Sequence, residues 1–228
     1  MSVLFVLGAT ACGGNADGGS PNVPDAPAGA LDAGASADGA PFQGLTVDWA
    51  DSPPLPGPLG LSGTTISVAS ARFRIERLEA ISDGGAVPEA RQDDFDILWD
   101  SSNAPPTIYF PNAPPAIYSK VRLNIDQGPG DTASFEITGS VVISGTTEPF
   151  RITSQQKIDL EVEGYAVRLD LGDQRGMPII VKLDALLAEV AWSGLPVTNT
   201  VRTLDDTRPT EIDALRDRFE LAFVGPFE

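Results

Sequence analysis

Strict alternation of apolar and polar residues is the feature that most constrains this chain. The segment Lys157–Glu163 alternates without an exception and places Ile158, Leu160 and Val162 on one side. Successive side chains of a β-strand point to opposite faces, so this pattern predicts a strand with one buried and one solvated face. Such segments recur along the chain with connections of only a few residues, which cannot make parallel crossovers. We therefore predict an all-β fold, an antiparallel β-sandwich of about seven to nine strands.

The same alternation predicts which side chains face the core. In Ala116–Ile125 the apolar side holds Ile117, Val121, Leu123 and Ile125, and the polar side holds Tyr118, Lys120, Arg122 and Asn124. After Gly164, the buried positions of the next strand are predicted to be Tyr165, Val167, Leu169 and Leu171. Thr64–Leu78 changes phase midway, which predicts a β-bulge near Ala69-Ser70. Prolines around Phe95–Trp99 and Thr107–Phe110 favour edge strands.

Two late segments have helical patterns. Leu183–Ala188 is long enough for one or two turns. Thr210-Glu-Ile-Asp213 resembles a capping box and would open a C-terminal helix over Glu211–Phe223. The sandwich is therefore expected to carry one or two short helices. We expect residues 42–228 to form one domain.

Composition excludes several classes of function. The chain of 228 residues has 15 Lys and Arg against 32 Asp and Glu, a net charge of −17, so it lacks the basic surface that nucleic-acid binding requires. It has no His and a single Cys, which excludes Ser-His-Asp and Cys-His nucleophile systems and His- or thiolate-bound metal sites. We expect a protein that is not an enzyme and has no cofactor, with Ca²⁺ as the one alternative.

The single cysteine lies where an export signal would end. Residues 1–11 contain a short apolar run, and Ala9-Thr10-Ala11-Cys12 resembles a bacterial lipobox, although Leu is usual in place of Ala9. Ala9-Thr10-Ala11 is also a site for ordinary signal peptidase, and both readings place the new N-terminus at Cys12. Residues 12–41 are rich in Gly, Ala, Asp and Pro, a composition that predicts a disordered tether. We expect export and membrane anchoring through lipid on Cys12, in the periplasm or at the outer surface of a bacterial cell envelope.

The order of predicted elements from Thr64 to Trp192 resembles a domain of unknown function found in bacterial lipoproteins. The residues that carry the resemblance are the long opening strand Ile66–Arg77, the Tyr118–Leu123 piece and the strand Val167–Leu171. The resemblance implies a transthyretin-like β-sandwich on a lipid anchor and implies no catalytic residues. The C-terminal segment after Trp192 lies outside it.

Two groups of residues are candidate sites. Oxygen ligands for Ca²⁺ could come from an acidic segment and a later turn, namely Asp93, Asp94, Asp96, Asp170 and Asp173. Solvated charges and an Asx-type turn explain the same residues. Tyr109 and Phe110, between prolines, are the candidate ligand-binding edge, with edge-strand packing as the alternative.

Three functions are compatible with these features. The first is a non-enzymatic cell-envelope lipoprotein whose β-sandwich binds or presents a ligand. The second is a secreted module that binds Ca²⁺ or carbohydrate. The third is a structural envelope component with a protein partner and no small ligand.

Overall fold

A computed structural model describes residues 43–61, 64–130 and 132–226. The predicted signal segment, Cys12 and the tether of residues 12–41 lie outside the described residues. Within them the strands are β1 Gly44–Asp51, β2 Gly57–Leu61, β3 Thr64–Ser82, β4 Gly85–Trp99, β5 Ile108–Phe110, β6 Ala116–Ile125, β7 Phe135–Ile143, β8 Thr146–Ser154, β9 Ile158–Val162, β10 Val167–Leu169, β11 Gln174–Val181, β12 Val197–Thr198, β13 Val201–Leu204 and β14 Phe223–Val224. The helices are α1 Leu183–Leu187, α2 Pro209–Arg216 and α3 Phe219–Ala222, with a short 3-10 helix at Trp192–Gly194.

The larger sheet is organised around β3, which has 19 residues. One edge of β3 pairs with β7 over Ile66–Phe73 and then with β6 over Ile75–Ser82. Its other edge pairs with β2 and then with β4. The register with β7 shifts between Val68 and Ser70, which confirms the predicted bulge and lets Ile66, Val68, Phe73 and Ile75 all be buried.

The smaller sheet has the strand order β14-β11-β1-β5. Its inner residues, such as Leu45 and Ile179, join inner residues of the larger sheet, such as Phe73 and Ile97, in one hydrophobic core. Each buried side chain of this size contributes about 1.5–3 kcal/mol through removal of apolar surface from water. The all-β, sandwich-like fold predicted from the alternation is confirmed.

The sheets are mixed, whereas a purely antiparallel arrangement was predicted. β1 pairs in parallel with β11, and β8 pairs in parallel with β13. Short connections exclude parallel pairing only between strands that follow each other in the chain. The partners of these two pairs are separated by several intervening elements, so the chain has ample length to return in the parallel direction.

The predicted facing of residues in β6 is wrong at its start. Tyr118 is fully buried and its hydroxyl donates to the Pro114 carbonyl at 2.9 Å, whereas Ile117 is 45% exposed. Opposite β3, the partner of Ser82 is Tyr118 and the partner of Ile81 is Lys120, so one extra residue of β6 lies between them. One inserted residue reverses the facing of every residue on its far side.

Leu171 also departs from its predicted position. β9 keeps Ile158, Leu160 and Val162 buried as predicted, and Tyr165 and Leu169 are buried as well. β10 nevertheless ends at Leu169, and Leu171 is 91% exposed at the tip of the following turn. The alternation of buried and exposed residues therefore ends where β10 ends, at Leu169.

The predicted single C-terminal helix is wrong, because the segment divides into α2, α3 and β14. α2 begins at Pro209, preceded by Arg208 without a side-chain cap, so Thr210 lies inside the helix and forms no capping box. The apolar spacing was nevertheless informative, since Ile212, Leu215 and Phe219 are all buried. β14 pairs with Ile180 and Val181 of β11. The backbone N–H and C=O groups of β14 thus find hydrogen-bond partners in the smaller sheet, which would be lost if the helix continued.

Candidate binding cleft

An open cleft of about 680 Å³ lies on the outer face of the larger sheet. Its floor is formed by Arg72 of β3, Glu136 of β7, and Arg151 and Thr153 of β8. These side chains face outward because their neighbours Phe73, Phe135 and Ile152 face the core. The floor therefore consists of the polar, outward-facing residues of strands whose apolar residues face the core.

Two short loops form the walls of the cleft. In the first wall, formed by residues 128–130 and 132–133, the Gly128 N–H donates to the Thr132 carbonyl at 3.0 Å, and the Thr132 hydroxyl donates to the Pro129 carbonyl at 2.9 Å. In the second wall, residues 205–207, Asp205 Oδ1 accepts from the Thr207 N–H at 3.0 Å and from its hydroxyl at 2.6 Å. These local hydrogen bonds fix the shape of both walls.

Asp206 fastens the second wall to the sheet. Its Oδ1 accepts from the Ser154 hydroxyl at 2.6 Å and its Oδ2 accepts from the Gln155 N–H at 2.8 Å. Ser154 is itself only 1% exposed, so the contact closes the base of the wall. Both oxygens of Asp206 are engaged in holding the wall.

The two arginines of the floor have different partners. Arg151 Nη2 lies 2.6 Å from Glu136 Oε2, a close ion pair. Arg72 Nη2 donates to the Ala133 carbonyl at 3.4 Å, and its Nη1 lies 3.9 Å from Asp96 Oδ1, beyond hydrogen-bond distance. A guanidinium has five N–H donors, so within the described part of the chain Arg72 keeps most of its donor capacity for the cleft.

The predicted Ca²⁺ ligands of β4 each face an arginine. Arg91 Nε donates to Asp93 Oδ1 at 2.8 Å, Arg74 Nη2 donates to Asp94 Oδ1 at 2.8 Å, and Asp96 faces Arg72 as described. The hydrogen bond from Arg91 holds the pKa of Asp93 below its usual range, despite some desolvation. Arg72 and Arg74 lie on β3, so their pairs are cross-strand, whereas Arg91 and Asp93 lie on the same strand, β4. All three carboxylates are thus engaged by arginines along the outer edge of the larger sheet.

Asp170 and Asp173 form the turn between β10 and β11. The Asp173 N–H donates to the Asp170 carbonyl at 3.1 Å, while Arg168 and Arg175 donate to the two carboxylates at 3.0 and 2.8 Å. Across residues 43–61, 64–130 and 132–226, no group of three or more His, Cys, Asp or Glu side chains is arranged to hold a metal ion.

Tyr109 and Phe110 lie on β5, at the edge of the smaller sheet as their prolines predicted. Phe110 is 2% exposed and belongs to the core, whereas Tyr109 is 42% exposed. The two rings face opposite sides of one strand, because consecutive residues of a strand do so. They therefore cannot form a common aromatic binding surface.

Comparison with known proteins adds no identity to this geometry. No protein-family model, curated protein or solved structure matches the chain. In the part of the chain that the structure describes, none of the helices has the length and apolar character needed to cross a membrane. What the protein does must therefore be inferred from the cleft and from the residues of the chain itself.

The residues of the cleft floor could not be recognised from the sequence. Arg72, Glu136 and Thr153 occupy polar positions of three different strands, and nothing in each strand separately distinguishes them. They come together because Arg72 is the register partner of Glu136, and Glu136 is the partner of Thr153. Finding them from the sequence would require knowing that β3 pairs with β7 and β7 with β8. The short connection between β7 and β8 indicates only the second of these pairings.

A second charged surface lies on the larger sheet. We call it the charge ladder, and it consists of Glu79 of β3, Lys120 and Arg122 of β6, and Glu161 of β9. Glu161 lies at its centre: Lys120 Nζ is 2.8 Å from one carboxylate oxygen and Arg122 Nη2 is 2.7 Å from the other. Arg122 also reaches Glu79 at 3.4 Å. Exposed pairs of this kind contribute below about 1 kcal/mol each, so the ladder favours register and solubility more than stability.

The charge ladder predicts a specific acid sensitivity. Hydrogen bonds from Lys120 and Arg122 hold the pKa of Glu161 below its usual range. A carboxyl whose pKa is lower in the folded state stabilises the fold above its unfolded pKa of about 4.3, and this contribution is lost as the pH falls through the folded pKa. We expect Glu161→Gln to be less stable than wild type at pH 7 and equally stable near pH 2, in urea denaturation at both pH values. Glu220→Gln, on α3, is the control and should show no such convergence. A gap between Glu161→Gln and wild type that persists at low pH would contradict the interpretation.

Proposed function

We propose that this protein is an exported, non-enzymatic lipoprotein whose β-sandwich binds a ligand in the cleft. Lipid on Cys12 would hold the domain at the cell envelope, and residues 12–41 would allow it to move away from the membrane. The observation that carries the binding function is the cleft, where a floor of paired strands and two hydrogen-bonded walls surround Arg72, whose guanidinium makes one hydrogen bond among the described residues. Pre-formed, concave sites with a few convergent polar groups are typical of ligand binding.

Non-enzymatic binding is favoured by the chemistry of the cleft residues. The chain has no His to act as a base, and the Asp206 carboxylate is held by Ser154 and Gln155 in the wall. Glu136 is paired with Arg151. These partners leave few groups with a free proton-transfer role, whereas a binding site requires only fixed donors and acceptors.

The cleft gives no support to the other two functions, a secreted module that binds Ca²⁺ or carbohydrate and a structural envelope component. The residues that line the cleft include no aromatic side chain on which a neutral sugar ring could stack. The carboxylates considered for Ca²⁺ face arginines. A structural role with a protein partner would need a contact surface, and the exposed large apolar residues of the described chain each lie on a different element or turn.

The anchoring is tested by replacing the single cysteine. We expect wild type expressed in a bacterial host to enter the detergent phase in phase partitioning and to carry lipid on Cys12 by mass spectrometry. Cys12→Ser removes the thiol that accepts the lipid, so most of the protein should move to the aqueous phase. Gly14→Ser, two residues away, is the control and should stay in the detergent phase. A wild-type protein that begins at Cys12, carries no lipid and remains aqueous would instead support the secreted module.

A further inference from the structure

We infer that the cleft binds a small organic acid whose carboxylate pairs with Arg72 and whose hydroxyl or ammonium groups donate to Asp205. This inference rests on the proposed binding function and names the chemical class of its ligand. Sugar acids and short peptides share this chemistry. Its support is the order of charges across the cleft floor.

Arg72 is the anion-binding end of the cleft. Its side chain is 23% exposed, which removes most of the competing water, and among the described residues no carboxylate lies within hydrogen-bond distance of it. Its strand partner Glu136 is engaged by Arg151 at 2.6 Å. A guanidinium presents paired N–H groups in one plane that match the two oxygens of a carboxylate, so a bidentate contact fits Arg72 well.

Asp205 is the acceptor end. Both of its local hydrogen bonds end on Oδ1, which leaves Oδ2 available to accept from a ligand. Leu204 pairs with Ile152 of β8, so Asp205 follows directly beside Thr153. The Thr153 hydroxyl, which can donate or accept, lies on the floor between the two ends.

The strand order sets the length of the ligand. Arg72, Glu136 and Thr153 are successive cross-strand neighbours, and Asp205 continues the row by one more position. Three spacings of about 4.8 Å separate the backbones of Arg72 and Asp205 by about 14 Å. Both side chains extend over the floor and shorten this span, which leaves room for a ligand the size of one sugar acid or a dipeptide.

The remaining charges favour a single carboxylate over phosphate or sulfate. Glu136, Asp205 and Asp206 place three negative groups around the two arginines of the lining. A doubly charged anion would be repelled by these groups and by the net charge of −17. A carboxylate with nearby donors satisfies both ends of the row and adds the least negative charge.

The test uses the full chain carrying Cys12→Ser. This variant cannot accept lipid on residue 12, so binding is measured on a protein without the anchor. Isothermal titration is made with glucuronate and with glycylglycine, and with glucose and inorganic phosphate for comparison. We expect at least one of the two acids to bind with a dissociation constant of about 1 mM, as usual for ligands of this size. Glucose and phosphate should bind at least about 10-fold more weakly.

Variants assign the two ends of the site. Arg72→Gln should weaken binding of the acid about 10-fold or more, whereas Arg175→Gln, paired with Asp173 outside the cleft, should leave it unchanged. Asp205→Asn is a second variant that keeps the size of the side chain, and it should weaken glycylglycine more than glucuronate because only the former carries an ammonium. Thermal denaturation checks that each variant is folded.

Three outcomes would overturn the inference. They are the absence of binding by both acids, phosphate binding tighter than either acid, and unchanged acid binding in folded Arg72→Gln. The lipid-anchoring experiment is independent, because the titrated protein lacks the anchor by design. If the titration shows no binding but wild type enters the detergent phase in the anchoring experiment, the ligand class is refuted and the proposal of an anchored lipoprotein is retained.

Discussion

Replacing Gly139 by alanine is expected to destabilise the protein by about 1–3 kcal/mol or more. Gly139 lies in β7 between Val68 of β3 and Phe150 of β8. A Cβ at this position would lie 2.1 Å from the Ser67 carbonyl oxygen and 2.9 Å from the Phe150 ring. The ring could rotate, but the carbonyl belongs to a strand paired on both edges, so the clash must be relieved by moving backbone. Overpacking of this kind costs about 1–3 kcal/mol or more, a large part of the stability of a typical domain.

Gly60→Ala is the matched control for this experiment. Gly60 also lies in a strand, β2, but a Cβ there would have no atom within 4 Å. The change should alter the free energy of unfolding by at most about 1 kcal/mol, and in the stabilising direction because alanine restricts the unfolded chain. Urea denaturation of both variants measures the difference. Equal stabilities of Gly139→Ala and Gly60→Ala would show that β3 does not approach β7 as the structure has it.

Gly139 also illustrates what alternation could predict. The bulge in β3 was predicted, because it depends on the phase of alternation among residues close in the chain. The close approach of Ser67 depends on which strands are neighbours, and that depends on the whole core. The sequence shows a glycine at this position, but only the pairing of β3 with β7 explains why no Cβ fits.

The errors in the prediction also arise from strand pairing, which residues close in the chain do not determine. Tyr118 was placed on the polar face because one extra residue in β6 leaves no mark in the sequence, where Ile117 and Tyr118 are both suited to burial. The parallel pairs β1–β11 and β8–β13 join segments that are distant in the chain. The cleft depends on such pairs too, since Asp205 reaches its place beside Thr153 only through β13.

The C-terminal segment provides the second large expected effect, because it fills the core of the fold that precedes it. Phe219 of α3 is fully buried, and its ring centroid lies 5.9 Å from that of Phe73 in β3 and 5.1 Å from that of Phe135 in β7. It also stacks on Phe223 of β14 at 5.9 Å. One ring therefore joins the larger sheet, a helix and the edge strand of the smaller sheet.

Phe219→Ala is expected to lower the free energy of unfolding by about 3–5 kcal/mol, the cost of lost apolar burial and of the cavity left among three rings. Leu221→Ala, two residues later in the same helix, is the control, because Leu221 is 55% exposed and should change stability by less than about 0.5 kcal/mol. Urea denaturation followed by far-UV circular dichroism and by tryptophan fluorescence measures both variants. If residues 42–228 form one domain, the two signals of Phe219→Ala should shift together in a single transition. An early loss of helix signal with an unchanged main transition would show instead that the C-terminal segment folds separately from the sheets, and the domain prediction would be wrong.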